Sequence, residues 1–123
     1  MPDTIAPTEL PRIEGPQAWT GREQASRDDW SYTLGAADNA EIDTALDGVR
    51  DADILTIDRA AFPLPGLASR LAAVKREILD GRGFFLFRGL PIARYSIAEA
   101  ARIFWGLGAH WGEAVSQNGK GHV

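Results

Sequence analysis

Gly83-Phe84-Phe85-Leu86-Phe87-Arg88-Gly89 decides how this chain is read. The run is continuously apolar, rich in aromatics, too short for a helix and bounded by glycines. It therefore predicts a strand buried on both faces. Upstream, Leu67, Leu71, Val74 and Ile78, with Leu79 beside them, recur at helical spacing. A helix is expected to begin after Pro65 and to stop at Gly81 in the left-handed conformation that ends many helices. Downstream, Gly89-Leu-Pro-Ile92 turns the chain. Ser96 and Glu99 then have the spacing of a capping box, opening a helix along Ile97, Ala100, Ala101, Phe104 and Leu107 that ends near Gly108. The tail from Trp111 to Val123 combines Gly112, Gly119 and Gly121 with Val115 and Val123, which predicts a turn and one short strand.

Further toward the N-terminus, Asp38 and Glu41 form another capping-box spacing. Ile42, Ala45, Leu46 and Val49 follow on one helical face, giving a helix from about Asn39 to Arg50. Ile54 to Pro65, with Phe62-Pro-Leu-Pro65, is a connector, because two prolines stop any helix before it. Trp19 and Trp30 stand in a polar stretch and are expected to pin it onto a core elsewhere. Pro2, Pro7, Pro11 and Pro16 exclude a helix over the first residues, so 1–15 is expected to be a mobile arm ahead of one domain over 16–123.

The content is therefore α+β with one convincing strand. A lone strand cannot satisfy its own backbone groups, and the sequence reads as unfinished.

Bulk properties bound the function. A net charge of -4 argues against a nucleic-acid partner, which would need a basic face. With no cysteine, thiolate metal sites, disulfides and a cysteine nucleophile are all excluded. Neither a signal peptide nor a stretch approaching the ~18 apolar residues of a membrane span is present, so the chain is expected to be cytoplasmic and not membrane-bound.

Several features, taken together, resemble the TauD/TfdA-like (taurine catabolism dioxygenase) family of Fe(II)/2-oxoglutarate-dependent oxygenases. They are Phe87-Arg88-Gly89, Pro91, Tyr95-Ser96 and Gly106-Leu107-Gly108, with Gly15-Pro-Gln-Ala-Trp19 and Phe62-Pro-Leu-Pro65 upstream. The resemblance implies the N-terminal helices and first strands of a double-stranded β-helix, a clavaminate synthase-like jelly roll. It implies a parent that uses Fe(II) and 2-oxoglutarate on a small organic substrate. In the family a His-x-Asp pair and a distant His hold the iron, leaving three positions for the oxo-acid and dioxygen. Those ligands, and the arginine that grips the oxo-acid, are expected after Val123. No catalytic or metal residue is therefore assigned here, and the chain alone is expected to bind neither cofactor and to be inactive. What carries over is the stretch Glu113 to Asn118, which in the family approaches the substrate pocket. Ser116, Gln117 and Asn118 are the substrate-binding candidates, against plain turn chemistry signalled by Asn118-Gly119. The alternative is a small non-catalytic α/β binding or interaction module derived from that family.

Other constellations carry less. His110, Glu113 and His122 could imitate a two-His, one-carboxylate site, but Gly108 and Gly112 make a continuous helix there doubtful, and they are not assigned. Gly106-x-Gly108-x-x-x-Gly112 has neither the spacing nor the preceding strand of a dinucleotide loop. Arg88 is expected to reach water or a carboxylate. Lys75, Arg76 and Glu77 are read as the solvated face of their helix. Trp105 and Trp111 are expected to be exposed where further strands would cover them, favouring self-association through an apolar patch.

Overall fold

The computed structural model describes residues 9–122. In order, the elements are α1 (Gly21–Ala25), β1 (Ser31–Thr33), α2 (Ala36–Asp47), a 3-10 turn (Ile54–Thr56), α3 (Ala68–Asp80), β2 (Leu86–Arg88), a second 3-10 turn (Ile92–Arg94) and α4 (Ile97–Ala109). The chain is α+β. Part of the expected arm, residues 1–8, lies outside the described residues, and 9–14 has no regular structure. No helix among the described residues is long and apolar enough to cross a membrane.

The helices form where local chemistry satisfies their first amide groups. In α1, Thr20 Oγ1 accepts from the Glu23 N–H while Glu23 reaches back to the Thr20 N–H. Ser96 and Glu99 make the same reciprocal pair at α4, as their spacing predicts. At α2 the expected start is displaced. Asp38 is the third helical residue, not the cap, and its carboxylate accepts from the Gly35 N–H at 2.9 Å. The Glu41 side chain reaches out of α2 to accept from the Gly66 and Leu67 N–H groups, tying the approach to α3 to α2.

Ile42, Ala45, Leu46 and Val49 are buried as the α2 periodicity predicts, and so are Leu67, Leu71 and Val74 of the α3 region. Ile78 (42% exposed) and Leu79 (69%) are not, because the last turn of α3 runs past the core. Gly81 has φ -105°, so it is no left-handed stop; that conformation falls to Gly83. Glu77 is also more than solvation. It accepts from the Arg82 backbone and Nε, closing the helix end.

The largest correction concerns α4. Its buried residues are Ile103 and Gly106, whereas Ile97 (91% exposed) and Phe104 (81%) face outward. Gly106 is buried because the fully enclosed Phe62 ring lies against it: a Cβ there would collide with the ring carbons. The connector thus inserts its aromatic into α4, where only glycine admits it.

β2 covers three residues, not the whole apolar run, and is not buried on both faces: Leu86 and Arg88 are exposed and Phe87 half-buried. It does have a partner, β1, in parallel register Ser31↔Leu86, Tyr32↔Phe87, Thr33↔Arg88. Both strands of a two-stranded sheet are edges, each without a neighbouring strand on one side, and only Tyr32 and Phe87 of the sheet pack against the core. Phe84 is instead covered by indoles, with Trp19 at 4.9 Å and Trp30 at 6.1 Å between ring centroids. The two tryptophans thus pin the polar stretch onto Phe84, not onto the buried core as expected, and Trp19 stays exposed. Trp105 and Trp111 are half-buried and do not form the expected exposed patch. Trp111 Nε1 donates to the Leu71 carbonyl at 3.0 Å, and its ring lies 6.0 Å from Phe87.

Candidate functional site

Trp111 fixes where the tail leaves the body, beside Phe87 of the sheet. Beyond it the structure gathers Ser116, Gln117 and Asn118 into one exposed loop, with a turn but no strand among the described residues. Asn118 is its organiser. Asn118 Oδ1 accepts from the Lys120 N–H at 2.8 Å, and Asn118 Nδ2 lies 3.0 Å from His122 Nδ1. Ser116 Oγ donates to the Asn118 carbonyl and Gln117 Nε2 to the Val115 carbonyl, both at 3.1 Å. Each of the three side chains is turned onto its own loop.

Two concavities flank the connector. The first, about 550 Å³, is walled by Asp58, Pro63, Leu64, Pro65, Ala68 and His110. His110 Nε2 lies 2.7 Å from the Phe62 carbonyl, which can only accept, so Nε2 carries the proton. Nδ1 is buried without a partner. The second, about 360 Å³, brings together Tyr32, Asp38, Ser69 and Arg70. The Arg70 guanidinium stacks 3.7 Å above the Tyr32 ring, and no ion pair joins it to a carboxylate among the described residues. Tyr32 donates to Asp38 Oδ2 at 2.7 Å. The Gly35 N–H, and after it the Tyr32 hydroxyl, hold the Asp38 carboxyl below its ordinary range. The same bond to Asp38 raises the Tyr32 phenol. Both directions keep Asp38 ionised and Tyr32 protonated near neutrality. The pair is a fixed hydrogen-bonded dipole suited to orienting a ligand, not a couple that exchanges protons. Nothing in the sequence joins Tyr32 to Arg70, since the strand and helix that carry them meet only in the folded chain.

The residues that could imitate an iron site do not assemble. His110 is committed to Phe62, and His122 to Asn118 out in the tail. No group of three His, Asp or Glu side chains suited to a metal occurs among the described residues. These side chains do not fit an Fe(II) centre.

Fold and site together define a small α+β scaffold with a polar loop at one end and no gathered ligand set among the described residues. The chain is 28% identical over 111 residues to FR-33289 synthase of Streptomyces rubellomurinus, covering 89% of this chain and 33% of that protein. It is also 28% identical over 103 residues to the taurine hydroxylase-like protein SAT17 of Stachybotrys chartarum, covering 82% of this chain and 27% of that protein. No protein-family profile matches. The chain spans about a third of the length of the curated relatives it matches. The second relative, by its name taurine hydroxylase-like, bears out the resemblance to TauD-like proteins read from Phe87-Arg88-Gly89 and Gly106-Leu107-Gly108.

Proposed function

We propose that this chain is the N-terminal scaffold of a cytoplasmic Fe(II)/2-oxoglutarate-dependent dioxygenase acting on a small organic substrate. β1 and β2 are read as the opening strands of its jelly roll, and the loop with Ser116, Gln117 and Asn118 as one wall of its substrate pocket. The observation that carries this is the similarity over 111 residues to relatives about three times as long. On this reading the Fe(II) and 2-oxoglutarate ligands belong to residues outside this stretch, and the 123-residue chain alone is inactive.

The experiment is to read the coding DNA past the Val123 codon and express everything in frame. A downstream His-x-Asp, with Fe(II)-dependent consumption of 2-oxoglutarate by the longer protein and none by the 123-residue chain, is the expected result. In the longer protein Gln117→Leu should raise KM for the organic substrate and leave KM for 2-oxoglutarate unchanged. A genuine stop with no such motif in any frame would withdraw the enzyme.

One observation favours the alternative, a non-catalytic binding module: Phe62, Ile42, Leu46 and Ile103 are fully enclosed by the chain itself. A module melts in one sharp step, whereas a scaffold lacking its barrel melts broadly or aggregates.

A further inference from the structure

The chain has two asparagines, and their surroundings differ in what matters to a side-chain amide. Asn39 is followed by Ala40 inside α2, and its Nδ2 donates to the Gly89 carbonyl at 3.1 Å. Asn118 is followed by Gly119 in the exposed loop. A backbone nitrogen can close onto the side-chain carbon of the asparagine before it when the following residue bends freely and its N–H is unengaged. Glycine meets the first condition, having no Cβ to resist the turn. Gly119 meets the second as well: its N–H donates to nothing among the described residues, and a Cβ there would meet nothing within 4 Å. Gly48 and Gly81, which follow Asp47 and Asp80, meet only the first, since their amides close helix ends on the Thr44 and Glu77 carbonyls.

The loop also prepares the Asn118 amide for attack. The Lys120 N–H, 2.8 Å from Oδ1, fixes which side of the amide is the oxygen, and the His122 N–H approaches the same atom at 3.4 Å. Backbone donors aimed at Oδ1 favour the negative charge that grows there when Cγ is attacked. On the other side, Nδ2 lies 3.0 Å from His122 Nδ1. We propose that Asn118 is a site of spontaneous deamidation, with Gly119 N as the nucleophile and His122 as the proton relay that releases ammonia. Gly119 N loses its proton to water and bonds to Asn118 Cγ. The Cγ–Nδ2 bond breaks, and Nδ2 leaves as ammonia with a proton that imidazole Nδ1 passes on from water. Water then opens the cyclic imide at either carbonyl, leaving aspartate, or isoaspartate with the backbone rerouted through the side chain. Either product adds a negative charge and can no longer donate to His122, so the side chain that organises the loop loses one of its ties. The chemistry does not depend on the loop's being a pocket wall.

The 123-residue chain, and beside it the longer in-frame protein, would be held in neutral buffer and sampled over days. The tryptic peptide that ends at Lys120 contains Asn118 and no other asparagine. It should show the amide-to-acid mass gain rising with time, with isoaspartate outweighing aspartate on electron-transfer fragmentation, while the Asn39 peptide stays unchanged. Gly119→Ala should slow the gain at least several-fold. His122→Gln can still hold the amide but cannot relay a proton, and it should slow the gain too; a merely structural His122 would leave the rate unchanged or raise it by freeing the amide. No gain at Asn118, an equal gain at Asn39, indifference to Gly119→Ala, or a rate that His122→Gln leaves or raises would each overturn the proposal. Loss of the reaction in the longer protein would overturn it as well, since the rest of that protein would then close off the loop.

Discussion

Gly106 and Gly108 sit one short step apart on α4, and their surroundings are opposite. Gly106 faces the Phe62 ring, which is enclosed and cannot withdraw, while the Cβ position of Gly108 is open. Alanine favours a helix over glycine by about 1 kcal/mol at either position. At Gly106 that gain is outweighed by overpacking, which costs about 1–3 kcal/mol in a filled core. Gly106→Ala should therefore lower the midpoint of urea unfolding, and Gly108→Ala should raise it by the equivalent of up to ~1 kcal/mol. Equal midpoints would mean that Phe62 does not press on α4.

At the scale of elements, α4 depends on how its first turn is held. Glu99 accepts from the Ser96 N–H and pairs with Arg50, and these partners, the backbone N–H first, bring its carboxyl down to about 2 from an ordinary 4.5. A carboxyl lowered by folding adds stability that is complete above its unfolded value and is lost as pH falls through the folded one. The thermal midpoint should fall between about pH 4.5 and 2. Glu99→Gln should be less stable at neutral pH and show a shallower decline across that window; parallel curves would place the acid sensitivity elsewhere. How far each element was legible follows from similar local facts. The face of α2 could be read because Ile42, Ala45, Leu46 and Val49 leave one phase open to it. The face of α4 could not, because Ile97 and Phe104 on one side are as apolar as Ile103 on the other, and only Phe62 meeting Gly106 decides which side turns inward. β1 escaped because Ser31-Tyr-Thr33 is short and mostly polar, and becomes a strand only through its partner. Of the candidate site, the turn chemistry of Ser116 to Asn118 was visible in Asn-Gly. The meeting of Tyr32, Asp38 and Arg70 was not, since it joins a strand, a helix start and another helix.

For the whole molecule, the described chain divides into a core that encloses itself and an N-terminal strap fastened by the β1–β2 pairing, by Trp19 and Trp30 on Phe84, and by Arg82. α1 buries nothing of its own. The charged fastening is Arg82, whose side chain is only 11% exposed. Its guanidinium forks onto both Asp29 oxygens at 3.0 and 2.9 Å, its Nε donates to Glu77 at 2.7 Å, and its carbonyl accepts from Trp19 Nε1 at 2.7 Å. The hydrogen bonds from Arg82, and after them those from Arg27, hold the Asp29 carboxyl far below its ordinary range. One planar cation thus links α3, the approach to β1 and, through its backbone, the Trp19 anchor. Such two-pronged charge-assisted contacts are stronger than neutral ones, and regions tied by few contacts open separately from the core. Arg82→Met keeps the aliphatic stem and removes the fork. It should speed amide exchange over residues 20–33 about tenfold, or ~1.4 kcal/mol of easier local opening, while exchange in α2, α3 and α4 stays unchanged. Trypsin should then cut at Arg22 and Arg27 before it cuts in the core. A uniform acceleration along the chain would show instead that strap and core open as one unit, with Arg82 supporting the whole fold.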